Sequence, residues 1–458
     1  MYKDLEYLST PLPEDIAKLK WFGDFERAEH VISMRLQKDI PTALRKRLEL
    51  EKEILKRIPF EYIYTTEEAA ARLMEHVNGA TPEELEQLRD EGTIDWLYVH
   101  GEVRYKDDFL ENMIKTRPDM CARLKNPALA EEYEKNGQLL DEVIAKMKAE
   151  GGSAYKIRIK ASLQMKKEAE RVGETVRVHL PIPLQYSQAK NVKLLHCSEQ
   201  DYVLAAEDQI QRTVYMETKL EPDHEFSIEY EFENHMKYVD PDPAAVSVEQ
   251  PDFYTSEQAP HIMFTPYLKS LTAEVVGDET NPLIKARKIY DYITSHIMYS
   301  FVRQYFTITD IPEYMASSMK GDCGIYALLF ITMCRIAGVP ARWQSGLYAT
   351  PLTCGNHDWA QFYVAPYGWM YADCSFGGGA YRAGAMDRWN FYFGNLEPFR
   401  VPCCSDFQHE FAPEKKFLRD DPYDNQNGEA EYEDRGLIHH VDYETKKVVT
   451  AIENIKFE

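Results

Sequence analysis

Gly321-Asp322-Cys323-Gly324-Ile325-Tyr326-Ala327 opens an apolar run that continues through Leu328, Leu329, Thr332 and Arg335-Ile336-Ala337 to Gly338-Val339-Pro340-Ala341-Arg342. A helix is predicted to begin near Asp322-Cys323 and to stop at Gly338, because proline two residues on cannot continue it. Cys323 therefore stands in the first turn, where backbone N–H groups lack intrahelical partners and the dipole favours an anion. That position predicts a thiol of lowered pKa, and the same N–H groups can cradle an oxyanion forming on a carbonyl.

Strand-like segments follow at Arg342 to Tyr348, Trp359 to Val364 and Trp369 to Cys374. Helix followed by antiparallel strands reads as an α+β domain. His357 opens the second of these strands, with Trp359, Gln361 and Tyr363 on its face, and Asp373 lies at the end of the third. Pro366-Tyr367-Gly368 supplies the turn between them, so the carboxylate is expected beside the imidazole. There it would orient the ring and leave the other nitrogen to take the thiol proton. Each residue alone has a plainer role: a buried thiol, a hydrogen-bonded histidine, a turn aspartate. Their order along one domain is what points to chemistry.

The same pieces resemble the transglutaminase-like superfamily, whose members share a papain-like cysteine–histidine–aspartate arrangement. The likeness runs from Gly321-Asp322-Cys323-Gly324 through Arg335 to Arg342 and Ser345-Gly346. It resumes at Asn356-His357-Asp358-Trp359 and closes with Gly368-Trp369-Met370-Tyr371-Ala372-Asp373. The helix from Pro282 to Ile297 also looks like one the family places upstream. By resemblance Cys323 is the nucleophile, His357 the general base and acid, and Asp373 the orienting residue. The family usually carries an upstream aromatic or amide residue that assists the oxyanion, with Tyr299, Gln304 and Tyr305 as candidates beside the Cys323 N–H. Trp343 and Gln344 depart from the small β-branched residues common in relatives, so a different pocket is expected. The likeness is closer to bacterial members than to the large animal cross-linking enzymes. No acidic calcium loop is recognisable, and the acids from Asp420 to Asp434 lack EF-hand order.

Working outward, residues 1–150 read as a helical N-terminal domain, with Thr81-Pro82-Glu83-Glu84 marking one helix start. Gly151-Gly152-Ser153 looks like a hinge. Residues 151–245 alternate apolar and polar positions (Tyr155, Ile157, Ile159; Val176, Val178, Leu180; Phe226, Ile228, Tyr230, Phe232), which predicts a β-sandwich. Asp240-Pro241-Asp242-Pro243 then links to a catalytic domain at 250–458 with a C-terminal extension, where a strand pair is expected around Val441 and Val448.

The whole chain of 458 residues carries 53 basic and 76 acidic side chains, a net charge of −23 that disfavours nucleic acid and anionic membranes. No secretory signal or spanning segment is read, so reduced thiols and a cytoplasmic location are expected. No cofactor is expected. Adjacent Cys403-Cys404 near His409 cannot easily face one tetrahedral ion, and His439-His440 is equally weak, so no metal is expected. GxSxG, P-loop and strand-linked GxGxxG motifs are all missing.

Trp343, Tyr348, Trp359, Trp389 and Arg382 are candidates for substrate binding, the rings as walls of a cleft and the arginine as a carboxylate clamp. Gly377-Gly378-Gly379 reads as a source of backbone freedom. The leading expectation is a cysteine-dependent hydrolase of amide bonds in peptides or modified peptides. The alternatives are acyl transfer to an amine and a protein that binds or cleaves glycans in an aromatic cleft.

Overall fold

The computed structural model describes residues 2–126, 128–185 and 188–457. At its centre lies the helix Cys323–Ile336, whose N-cap is Asp322 and whose residues from Gly324 to Arg335 are all buried. Such a helix has no polar stripe because it must be covered on every side. On one side it meets a five-stranded antiparallel sheet. In spatial order the strands are Phe393–Gly394, Gly368–Ala372, Cys354–Val364, Ala341–Ala349 and Arg400–Cys404. Phe330 packs edge-on against Phe362 with ring centres 5.9 Å apart. The α+β class and the predicted order of helix and strands are as read from the sequence.

The sandwich has two four-stranded sheets, and Ile157, Ile159, Val176, Val178, Phe226, Ile228, Tyr230 and Phe232 share its core. These are the positions whose alternation predicted it. The C-terminal boundary, however, is corrected. Glu429–Tyr432 pairs with Thr175–Pro181, and Tyr443–Ile455 runs along Gly152–Met165, with Tyr443 opposite Met165 and Ile455 opposite Ala154. The end of the chain thus completes the sandwich instead of extending the catalytic domain. Val441 and Val448 do not pair with each other; Val448 faces Lys160. A sheet edge is an unsatisfied row of donors and acceptors, and a strand distant in sequence can cover it as well as a near one.

The N-terminal region also divides differently. Leu5 to Tyr62 and Leu140 to Met147 contribute to the same core as the Cys323 helix, whereas residues around Leu73, Leu85, Phe109 and Met113 form a small core of their own. Arg57, on the helix Thr42–Glu61, donates to the Asp420 and Arg419 carbonyls at 2.5 and 3.0 Å. On the helix Ala128–Glu150, the Asn136 side chain accepts from Tyr348 Oη at 3.0 Å. Of the expected hinge, Gly152 is packed, since a Cβ there would come within 2.4 Å of the Phe457 ring, while Gly151 turns at positive φ in open space. The triplet Gly377-Gly378-Gly379 likewise lies inside the helix Cys374–Arg382, where a Cβ on Gly377 would sit 1.9 Å from Tyr290 Oη. Its glycines permit close helix packing; they do not loosen a loop.

Because the last strand spans the full length of Gly152–Met165, removing residues 440–458 should abolish cooperative thermal unfolding followed by circular dichroism. An unchanged melting curve would contradict the pairing.

Candidate active site

His357 and Asp373 meet as the strand spacing required. His357 Nε2 lies 2.7 Å from Asp373 Oδ2, and both side chains are buried. The Phe376 N–H donates to the other carboxylate oxygen at 2.8 Å, because Asp373 also caps the helix Cys374–Arg382. Arg400 Nη1 stands 2.8 Å from Oδ2 and completes an ion pair with no solvent exposure on either side. The same guanidinium grips Glu397 through Nε and Nη2 at 2.7 and 3.1 Å. Burial pushes the Asp373 carboxyl up, but the His357 ring and the Arg400 charge outweigh it and hold the pKa below the usual range. Burial drives the His357 pKa down, against the pull of Asp373. An ionised carboxylate has no proton to give, so Nε2–H is the donor and Nδ1 is the basic nitrogen of a neutral ring.

The sulfur sits in a different electrostatic setting. Cys323 Sγ lies 3.3 Å from Asp358 Oδ2, and no hydrogen bond joins it to His357 among the described residues. Adjacent residues on a strand project to opposite faces, so His357 and Asp358 present their side chains to different sides of Cys354–Val364. His357 packs on Phe376 at 4.6 Å, while Asp358 accepts from Gln426 Nε2 at 2.7 Å. The expectation of a lowered thiol pKa is therefore overturned. Burial first, then the Asp358 and Asp322 carboxyls, push the Cys323 thiol well up. A helix terminus offers roughly half an elementary charge, too little against dehydration and two acids.

The acids themselves are held towards neutrality. Burial and neighbouring Asp424 raise Asp358 well above the carboxylate range, and Ser345 Oγ in turn bonds Asp424. Burial lifts Asp322 to about 6. Tyr305 Oη donates to Asp322 Oδ1 at 2.5 Å and accepts from the Gly324 N–H at 3.0 Å. Of the oxyanion candidates, Tyr305 thus stands at the helix start. The Cys323 N–H beside it has no partner among the described residues. The Gln304 backbone N–H is held by the Glu61 carboxylate at 3.0 and 3.2 Å, and its side-chain Oε1 is buried without a hydrogen-bond partner. Tyr299 packs against the Tyr326 ring at 6.2 Å.

Three of the proposed cleft walls are structural. Trp343 and Trp359 are each 1% exposed, Trp343 against Phe407 and Trp359 bonded through Nε1 to Gln344 at 2.8 Å. Trp389 stacks under Arg287 and bonds Thr294, fastening its short helix to Pro282–His296. A ring that is filled around on both faces has no surface left for a ligand. Tyr348 lies at the site, 5.0 Å from Phe376, and Arg382 is exposed. Sequence reading missed Asp358, Gln426 and Arg400. The apolar neighbours Phe399 and Val401, with Glu397 three residues before, mark Arg400 as a buried cation. Adjacent Cys403 and Cys404 point into different cores, as their alternation on a strand requires.

Replacing Arg400 with Gln should strand two buried carboxylates and cost about 3–5 kcal/mol of stability. Urea unfolding of the variant checks this; a loss below about 1 kcal/mol would refute the role assigned to the guanidinium.

Residues 269–374 match the family profile described as the transglutaminase-like superfamily. An uncharacterised protein of Haemophilus influenzae is 25% identical over 137 residues, covering 25% of this chain and 37% of that protein. The match therefore spans well under half of the curated relative's length. A crystal structure from Cytophaga hutchinsonii, provisionally described as a cysteine protease, aligns with a TM-score of 0.41 at 14% identity over 67% of this chain and 92% of that one. The periplasmic domain of TgpA from Pseudomonas aeruginosa aligns with a TM-score of 0.29 at 14% identity, over 55% of this chain and 96% of its own. Among the described residues, no helix is long and apolar enough to cross a membrane. With the cysteine at a helix start, the histidine–tryptophan strand and the aspartate-ended strand all inside the matched span, residues 269–374 are a domain of the transglutaminase-like superfamily.

Proposed function

We propose that the chain is a cysteine-dependent hydrolase of amide bonds in peptide or modified-peptide substrates. The observation that carries this reading is the buried His357–Asp373 bond of 2.7 Å, which leaves Nδ1 as the free base of the ring in a domain that also sets a thiol at a helix start. In the resting enzyme the thiol is held by Asp358 and keeps its proton. Catalysis begins when the Sγ–Asp358 hydrogen bond breaks and the thiol proton passes to Nδ1 of His357 as sulfur attacks the substrate carbonyl. The Cys323 N–H stabilises the developing oxyanion, joined by Tyr305 Oη once its proton, kept on oxygen by burial, turns from Asp322. The imidazolium returns its proton to the leaving amine, a thioacyl-enzyme forms, and water activated by Nδ1 releases the acid and the thiol.

Acyl transfer shares every step up to the thioacyl-enzyme and differs in the acceptor. Incorporation of a labelled amine into a glutamine peptide, with no free acid released, would replace hydrolysis by transfer. The glycan reading loses its support with the burial of Trp343 and Trp359.

Cys323→Ala should abolish peptide hydrolysis, and His357→Ala should lower kcat/KM by about 10²–10⁴-fold, measured on a fluorogenic peptide library. Equal turnover in either variant would end the proposal.

The pH profile follows from the two shifts. A lowered imidazole pKa keeps His357 neutral to below the ordinary 6.5 or so, so the acid limb of kcat/KM should fall below that value. A limb centred at or above it would contradict the neutral ring. The raised thiol predicts slow alkylation of Cys323 by iodoacetamide at pH 7 that quickens as pH rises beyond 9. Asp358→Asn removes the nearest acid, so it should speed alkylation at pH 8 by about tenfold, one unit of pKa. An unchanged or slower rate would show that Asp358 does not hold the proton on sulfur.

A further inference from the structure

A cavity of about 920 Å³ opens between the N-terminal region and the catalytic domain, lined in part by Trp21, Trp96, Arg303, Tyr314 and Lys320. It does not include Cys323, His357 or Asp373. Its volume falls in the range that encloses a small molecule.

The charges around it are uneven. Lys20 Nζ and Arg47 Nη1 both bond one carboxylate, Glu51, at 2.9 and 2.6 Å. Lys320 is matched by Asp95 at 3.2 Å, and Asp95 also accepts from Tyr62 Oη at 2.6 Å. Asp310 and Glu313 lie on the wall too, but Asp310 is engaged as the N-cap of Ile311–Ser318. Arg303 is the exception: it is 7% exposed, forms no ion pair among the described residues, and its Nε has no hydrogen-bond partner. Its guanidinium lies between the Trp21 ring at 5.8 Å and the Tyr314 ring at 5.3 Å. A buried cation with an empty donor is costly unless an anion meets it. Two cations thus share Glu51, whereas Arg303, bonded to Tyr314 and acted on by Asp95 and Glu61 without an ion pair to either among the described residues, keeps an empty Nε beside an aromatic-walled space.

We propose that this cavity is a second binding site, separate from the thiol, for a small molecule that carries a carboxylate on an apolar or aromatic body. The carboxylate pairs with Arg303 in the bidentate manner that guanidinium favours, and the body lies along Trp21 and Trp96. A free inorganic anion would satisfy the charge but leave the rings unused.

Calorimetric titration of the whole chain tests this, with 4-phenylbutyrate as the probe, 4-phenyl-1-butanol as its neutral counterpart and inorganic phosphate as the bare anion. Saturable one-to-one binding of the carboxylate is expected, at least tenfold tighter than the alcohol or phosphate. Arg303→Met should weaken carboxylate binding at least tenfold. Trp21 is 52% exposed, so Trp21→Ala should keep the wild-type melting curve while weakening the probe several-fold, which serves should the arginine variant fail to fold. Failure to saturate, equal affinity for the alcohol or phosphate, wild-type binding by both variants, or loss of binding in Cys323→Ala would each overturn the proposal.

Discussion

Arg400 holds the site together. A carboxylate without access to water would ordinarily take up a proton, and a protonated Asp373 could neither fix the His357 tautomer nor stabilise its imidazolium. The guanidinium prevents that by sitting 2.8 Å from Oδ2, and Glu397 balances the charge left over. Because Arg400 comes from the edge strand Arg400–Cys404, it ties that strand to the end of Gly368–Ala372 across the sheet. The strand Ala341–Ala349 between them contributes Gly346 opposite His357, a residue with no side chain to crowd the ring. Sheet closure and imidazole orientation are therefore one constraint.

At the sulfur, two effects compete. The helix start favours a thiolate, and Asp358 with its Asp424 and Gln426 partners favours a thiol. The thiol form wins chiefly because the sulfur is dehydrated, a cost that the fractional charge of a helix end does not repay, and the hydrogen bond to Asp358 adds to it. The proposed reaction begins by undoing that arrangement.

Most of the central fold was legible because its signals are local. The cap and apolar run of Cys323–Ile336 decide the helix, and the turn at Pro366-Tyr367-Gly368 decides the pairing that brings His357 to Asp373. What could not be read depends on partners distant in sequence. Nothing near Val448 says that it lies opposite Lys160 rather than Val441. Trp343, Trp359 and Trp389 resembled cleft walls because periodicity does not distinguish a ring that faces a groove from one that fills a core. Asp358 was in plain view beside His357, and strand alternation places the two on opposite faces. The thiol's acidity was misread because burial of the sulfur, the main cause, depends on the whole fold, and Asp358 lies 35 residues further along the chain than Cys323.

The hold of Asp358 on Cys323 also bears on damage. Peroxide reacts with thiolates and hardly with thiols, so a sulfur kept protonated at neutral pH is a poor target for oxidation to sulfenic acid and beyond. The enzyme waits in a form that oxidants largely ignore, and its sulfur becomes vulnerable only in the moments when it is also reactive.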